Sequence, residues 1–93
     1  MTITLTTTNS QGSAHIGPAD APTAKMEFSI ANPHLIIISH TEVDEAHRGQ
    51  GVGRRLLDRI VAYARENDIK IMPLCPYAKS VFDKDPSLGD VLR

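Results

Sequence analysis

The sequence of 93 residues contains one cysteine. That scarcity excludes an internal disulfide and any zinc site built from several thiolates. Charge of one sign is lacking as well: ten Lys and Arg face eleven Asp and Glu, for a formal net charge of -1 with His neutral. A generally basic nucleic-acid binder would carry a clear cationic excess, so that class is excluded. An acidic disordered tail is excluded too, because 41% of the residues are apolar and only 23% are charged. Long apolar runs are missing. The run Leu35 to Ile38, like every other, falls far short of the roughly 20 residues that span a bilayer. The first residues, Met1 to Thr8, are polar and Thr-rich, without the cationic start and apolar stretch of a signal peptide. The expectation is one small domain over residues 1–93, cytoplasmic, with no membrane or nucleic-acid partner. A chain of this size buries only about 60–65% of its unfolded surface. With no disulfide or metal as a staple, a bound ligand or a second copy in a homodimer is the expected extra support.

Patterning along the chain predicts the elements. Residues 2–8 are β-branched and weakly alternating, an edge-like strand, with Ala14 to Ile16 as its returning partner after the turn residues 9–12. The loop 17–22 holds two prolines that no central strand accommodates. From Thr23 to Ile30, apolar Ala24, Met26, Phe28 and Ile30 alternate with polar neighbours, predicting a half-buried strand. Leu35 to Val43 follows as a strand that is apolar on both faces at its start and polar at its far end. The period then changes: Val52, Leu56, Ile60 and Ala64 recur every four residues, widened by Leu57 and Val61, predicting an amphipathic helix from about Gly51 to Glu66. Asn67 is expected as its left-handed terminator. Ile69 to Leu74 reads as a short strand whose Pro73 must lie at an edge, an end or a bulge. Pro76 opens a second helix to about Asp83, with Ala78, Val81 and Phe82 apolar. Strands joined across the long helix should lie parallel if they share a sheet, so the fold class is α+β, a twisted mixed sheet with helices against it.

Between the polar strand end and the long helix stands Arg48-Gly49-Gln50-Gly51-Val52-Gly53-Arg54. Three glycines in five residues weaken a first helical turn, which a sequence tolerates where backbone adopts positive φ or approaches something closely. Successive glycine N–H groups at a helix start, aided by the helix dipole, make a cradle for phosphate or pyrophosphate. A single glycine there would signify only a tight turn; this spacing with flanking arginines favours a phosphate-bearing ligand. Nucleotide motifs do not fit. No Gly-Lys pair exists for a Walker loop, and the third glycine comes one residue early for the dinucleotide fingerprint.

The pattern Arg48-x-x-Gly51-x-Gly53 resembles the acetyl-CoA pyrophosphate loop of the GNAT N-acetyltransferase superfamily. Together with His40-Thr41-Glu42-Val43 before it and Pro73-Leu74-Cys75-Pro76-Tyr77-Ala78 after it, it is similar to the short single-domain members of that superfamily, over roughly residues 24–92. The resemblance implies a sheet whose parallel strands splay to admit the thioester, without the usual helices between the early strands. It implies acetyl-CoA as co-substrate, with the backbone at Glu42 and Val43 pairing with pantetheine. Arg48, Gly49, Gln50, Gly51, Val52 and Gly53 would hold the pyrophosphate, and Arg54 would add a phosphate contact. The acceptor would be an amine that the sequence does not name, on a side left open or completed by another chain.

Acetyl transfer needs a neutral amine, donors for an oxyanion and a proton for the leaving thiolate. His40 is a candidate base by its titration range, or else a structural histidine bonded inside the sheet, with Thr41 as partner. Glu42 and Glu45 are alternative carboxylate bases. Cys75 should occupy the N-cap of the second helix, where the positive helix end favours thiolate, and the resemblance brings it near the thioester as an acyl acceptor. The alternative for Cys75 is a small buried hydrophobe. In the superfamily it resembles, a tyrosine at the start of this helix often protonates the leaving thiolate; Tyr77 lies near that place, or else only packs. No His, Cys or acidic spacing supports a metal. Three readings share the cradle: an N-acetyltransferase, a CoA-binding module with little catalysis, and a cysteine-mediated acyl transferase or thioesterase.

Overall fold

The computed structural model describes residues 2–18, 20–47 and 49–93, with the side chain of His47 left out of the description. Its elements follow the order β1 (Thr4–Thr7), β2 (Gln11–Ile16), β3 (Ala24–Asn32), β4 (Leu35–Val43), α1 (Val52–Glu66), β5 (Lys70–Pro73) and α2 (Pro76–Lys84). Short 3-10 turns lie at Glu45–His47 and Pro86–Leu88. The five strands form one sheet in sequence order; β1 to β4 are antiparallel, and β4 and β5 are parallel. This is the mixed α+β arrangement expected from the element order. Pro73 ends β5, where its missing N–H costs the ladder least.

Alternation explains the core. Ala24, Met26 and Phe28 of β3 face the helices and are buried, as are Ile36 and Ile38 of β4. The apolar stripe of α1 (Val52, Leu56, Leu57, Ile60, Val61 and Ala64) closes over them, while Ala78 and Phe82 of α2 join the same cluster. Both helices thus cover one face of the sheet, and Lys25, Glu27, His40 and Glu42 line the other. Each fully buried Leu or Ile contributes about 1.5–3 kcal/mol relative to exposure, so this one layer dominates the favourable side of folding.

One irregularity in β4 decides which residues reach the helix side. Phe28 pairs with Ile38 and Glu27 with His40, leaving Ser39 as an extra residue in the strand. A β-bulge of this kind reverses the alternation beyond it. Thr41 and Val43, paired with Met26 and Ala24, consequently face the helices, and His40 and Glu42 face away. The expected structural partnership of His40 with Thr41 is therefore corrected: the two side chains lie on opposite faces.

The end of α1 also differs from expectation. Asn67 has φ -116°, and the left-handed residue is Asp68 at φ 55°. Both the backbone N–H and the side-chain Nδ2 of Asn67 donate to the Tyr63 carbonyl, holding Asn67 on the helix axis and moving the reversal one residue on. Asp visits that region more readily than most L residues. After α2, the chain returns beside β5, where Ile71 bridges Leu92 in parallel.

Candidate active site

The splay between β4 and β5 follows from where β5 stops. The two strands pair only from Leu35–Lys70 to Ile38–Pro73, and the N–H groups of Leu74 and Cys75 both donate to the Ile38 carbonyl. Beyond Ile38, β4 continues to Val43 with no β5 residue opposite it. Its free backbone edge borders a cleft of about 230 Å³ lined by Thr41, Val43, Gly49, Gly51, Val52, Gly53 and Tyr77.

Each glycine of this wall has its own physical reason. Gly49 and Gly51 adopt φ 79° and 72°, a region where an L side chain is strained, and Gly51 is the residue from which α1 starts. A Cβ at either would meet no atom of the described residues within 4 Å, and both glycines line the cleft. Gly53 is required by proximity: a Cβ would lie 2.9 Å from Cζ of Tyr77. Uncovered backbone at the N-terminus of a 15-residue helix, with no side chain capping it, is chemically suited to an anion. The residues present therefore fit the phosphates that the cradle was expected to hold.

Of the residues expected at the cofactor, Val43, Gly49, Gly51, Val52 and Gly53 are brought together. Gln50 turns away, its Nε2 donating to the Ala46 carbonyl and tying the loop to the preceding 3-10 turn. Glu42 offers only backbone, because its side chain lies on the opposite face. Arg54 is engaged elsewhere: Nε donates to Asp58 at 2.8 Å and Nη2 to Asp85 at 2.7 Å. Arg48 lies outside the described residues.

The catalytic candidates separate by face. Tyr77 sits one residue inside α2, half-exposed at the cleft, and burial pushes its hydroxyl above the ordinary phenol range. A phenol so shifted stays protonated at neutral pH and can donate. Cys75 is the N-cap of α2, as expected, and only 5% exposed. Its sulfur makes no capping bond to the helix N–H groups and instead lies 3.2 Å from Oγ1 of Thr41. Thr41 in turn lines the cleft, placing the sulfur one side chain behind the cleft wall. His40 is half-exposed on the other face, with Nε2 3.2 Å from Glu42. The His40 hydrogen bond, followed by the charge of Lys25, holds the Glu42 carboxyl below its ordinary range. A carboxylate so stabilised is a weaker base. Glu45 opens the 3-10 turn and is exposed.

The sequence named Thr41 only as a partner for His40, and it singled out neither Asp58 nor Asp85 for the site. The roles of Thr41 and Asp85 depend on partners 34 and 31 residues away, which no local spacing reveals. The pairing of Asp58 with Arg54 was legible, since the two are four apart on a helix. Among the described residues, no group of three or more His, Cys, Asp or Glu side chains is placed to hold a metal ion.

Comparison with known proteins agrees with this geometry. Residues 13–91 match the family model for the GCN5-related N-acetyl-transferase. A GCN5-like protein from Staphylococcus aureus, solved by NMR, superposes with a TM-score of 0.73 at 30% identity, over 97% of this chain and 87% of its own. Tetrahymena GCN5 shares the fold, with a TM-score of 0.65 at 16% identity over 83% of this chain and 51% of its own. Among curated proteins, human Protein NATD1 is 25% identical over 63 residues, 68% of this chain and 56% of that protein. The match thus spans little more than half the length of that relative. Model, superposition and cradle coincide on the same stretch of sequence, and the chain belongs to the GCN5-related N-acetyltransferase family.

Proposed function

We propose that the chain is an acetyl-CoA-dependent N-acetyltransferase that acts on an exposed amine. The observation that carries this reading is the cleft in which the backbone of Gly49 and Gly51, open at the start of α1, shares a wall with the hydroxyl-bearing ring of Tyr77. In this reading the N–H groups of the cradle hold the pyrophosphate, and the unpaired edge of β4 at Glu42 and Val43 bonds the pantetheine amides. Bound acetyl-CoA supplies an acetyl group activated as a thioester. Tyr77, which lines the cleft and whose hydroxyl is protonated at neutral pH, gives the hydroxyl proton to the departing sulfur. The free amine reaches the cleft through the gap beyond Ile38, from the sheet face that carries no helix. His40 on that face is the candidate to receive the amine proton. That face is open, which favours an amine on a protein or a large ligand, or completion of the site by a second copy of the chain.

A second reading is favoured by the 3.2 Å contact between Thr41 and Cys75. Here Sγ takes the acetyl group: a bond forms from Sγ to the carbonyl carbon as the bond to the CoA sulfur breaks. The CoA thiolate takes the proton that Sγ gives up; the amine nitrogen then bonds the carbonyl carbon as the bond to Sγ breaks, and a proton from the amine returns to Sγ.

Calorimetric titration with CoA and acetyl-CoA comes first; no binding at millimolar ligand would sink both readings. Release of CoA in the presence of a panel of amines and protein lysates is then expected. Intact mass separates the two routes, because only the second gives a hydroxylamine-labile adduct that Cys75→Ala abolishes. Tight binding without turnover on any amine would leave a CoA-binding module.

A further inference from the structure

The brace between the two helices leads from cofactor binding to catalysis. Arg54 lies in the first turn of α1, next to Gly53. Its guanidinium spans two carboxylates, Asp58 on its own helix and Asp85 just beyond α2. Asp85 is itself fixed, since one carboxylate oxygen accepts from both the backbone N–H (3.0 Å) and the hydroxyl (2.6 Å) of Ser87. The nine-residue α2 is thus held at its far end by Arg54, while at its near end the Tyr77 ring rests on Gly53. A displacement of the far end would rotate the short, stiff helix and carry the Tyr77 hydroxyl away from the cleft.

We propose that Arg54 is a positioning residue: with Asp85 it sets α2 so that Tyr77 meets the donor cleft, and it does not ligate the phosphates. This refines the acetyl-CoA reading above and rests on it. Turning the guanidinium toward a phosphate would break two charge-assisted bonds and leave Asp85 without its cation. The anion is already served by the uncovered backbone of Gly49 and Gly51. Arg is suited to this task because its planar fork reaches two acceptors at fixed angles, which a Lys point charge does not.

Three single variants of the full chain decide the matter: Arg54→Lys, Arg54→Gln and Asp85→Asn. CoA affinity is read by calorimetry, acetyl transfer by steady-state kinetics. The expected result is CoA affinity within about twofold of wild type in all three, with kcat lowered about tenfold, in keeping with the sensitivity of transfer to small misplacements. Arg54→Lys should not retain wild-type kcat, and the Arg54→Gln/Asp85→Asn double variant should be no worse than either single change, as partners in one interaction behave. A tenfold loss of CoA affinity in Arg54→Gln that Arg54→Lys restores would overturn the proposal. Tighter CoA binding in Asp85→Asn, from a guanidinium set free, would also overturn it. So would a lowered melting temperature with unchanged kcat. If the Arg54 variants do not fold, Asp85→Asn carries the same decision. Independently of any ligand, the nuclear Overhauser contact between Gly53 and the Tyr77 ring should be present in wild type and weakened in Asp85→Asn. Its persistence would refute the brace. Wild-type protein that binds no CoA would instead refute the acetyl-CoA reading, with the Overhauser contact still judging Arg54.

Discussion

At the scale of single residues, the three glycines around the start of α1 divide two different tasks. Gly51 is needed for its conformation, because its φ of 72° is unfavourable to an L residue while the space around it is open. Gly51→Ala should therefore lower stability by about 1–2 kcal/mol through backbone strain alone, and should weaken CoA binding. Gly51→Asn should cost less, since Asn visits this region more readily. Thermal unfolding and calorimetry of the pair check this; equal losses in both would remove strain as the cause. Gly53 is a matter of proximity, its position filled by the Tyr77 ring. The sequence displays three equivalent glycines, and only tertiary contact separates the one that touches an aromatic ring from the two that need their dihedrals. Cys75 is a similar case. Its place before Pro76 marked an N-cap, yet its sulfur bonds to a threonine on a distant strand and not to the helix it caps.

At the scale of elements, the extra residue in β4 has the largest consequence for function. Alternation counted along LIIISHTEV from the buried Ile36 and Ile38 would send His40 to the helix side and Thr41 outward. The bulge at Ser39 reverses this, giving Thr41 and Val43 to the cleft and His40 and Glu42 to the opposite face. The device depends on residue number more than chemistry, because Ser39 itself is exposed. Ser39→Ala should leave stability and CoA binding near wild type, whereas deletion of Ser39 should diminish both. Chemical unfolding and calorimetry on the two variants measure this. A deletion variant that binds CoA normally would show that side-chain direction in β4 is unimportant to the cleft. The remaining elements were readable because each has a local cause: the four-residue period of α1, the alternation of β3 and the proline at the start of α2. The splay was implied by resemblance; its physical cause, β5 ending at Pro73 with both following N–H groups turned onto Ile38, is a contact between elements.

At the scale of the whole molecule, a thin body of 32 × 31 × 20 Å carries one core layer, and its edges are tied by ion pairs. Arg54 joins α1 to Asp85, and Arg65 joins the far end of α1 to Asp90. Bonds from Ser87 and Arg54 bring the Asp85 carboxyl down to about 2, and Arg65 holds that of Asp90 below its ordinary value. A carboxylate depressed in the folded state contributes stability that is complete above the unfolded value near 3.9 and is lost as pH falls toward the folded value. Stability should accordingly decline between about pH 4 and 2, and Asp85→Asn should flatten that decline. Urea unfolding at stepped pH measures it; an unchanged slope in the variant would remove Asp85 as a contributor.

The sequence by itself determined the elements, the mixed sheet and the glycine-rich loop at the helix start, and the resemblance of three motifs in order pointed to the family. These rest on periodicity, on proline and glycine, and on neighbours within a few residues of one another. The tertiary structure alone decided which side chains share the cleft. The bulge set the facing of β4, and contacts across 31 to 34 residues gave Cys75 its partner and Arg54 its anchor. The single cysteine, which first served only to exclude disulfides, is thereby placed one side chain behind the wall of the cleft. Its position there follows from packing between β4 and α2, because burial and direction belong to pairs of elements and to no single segment.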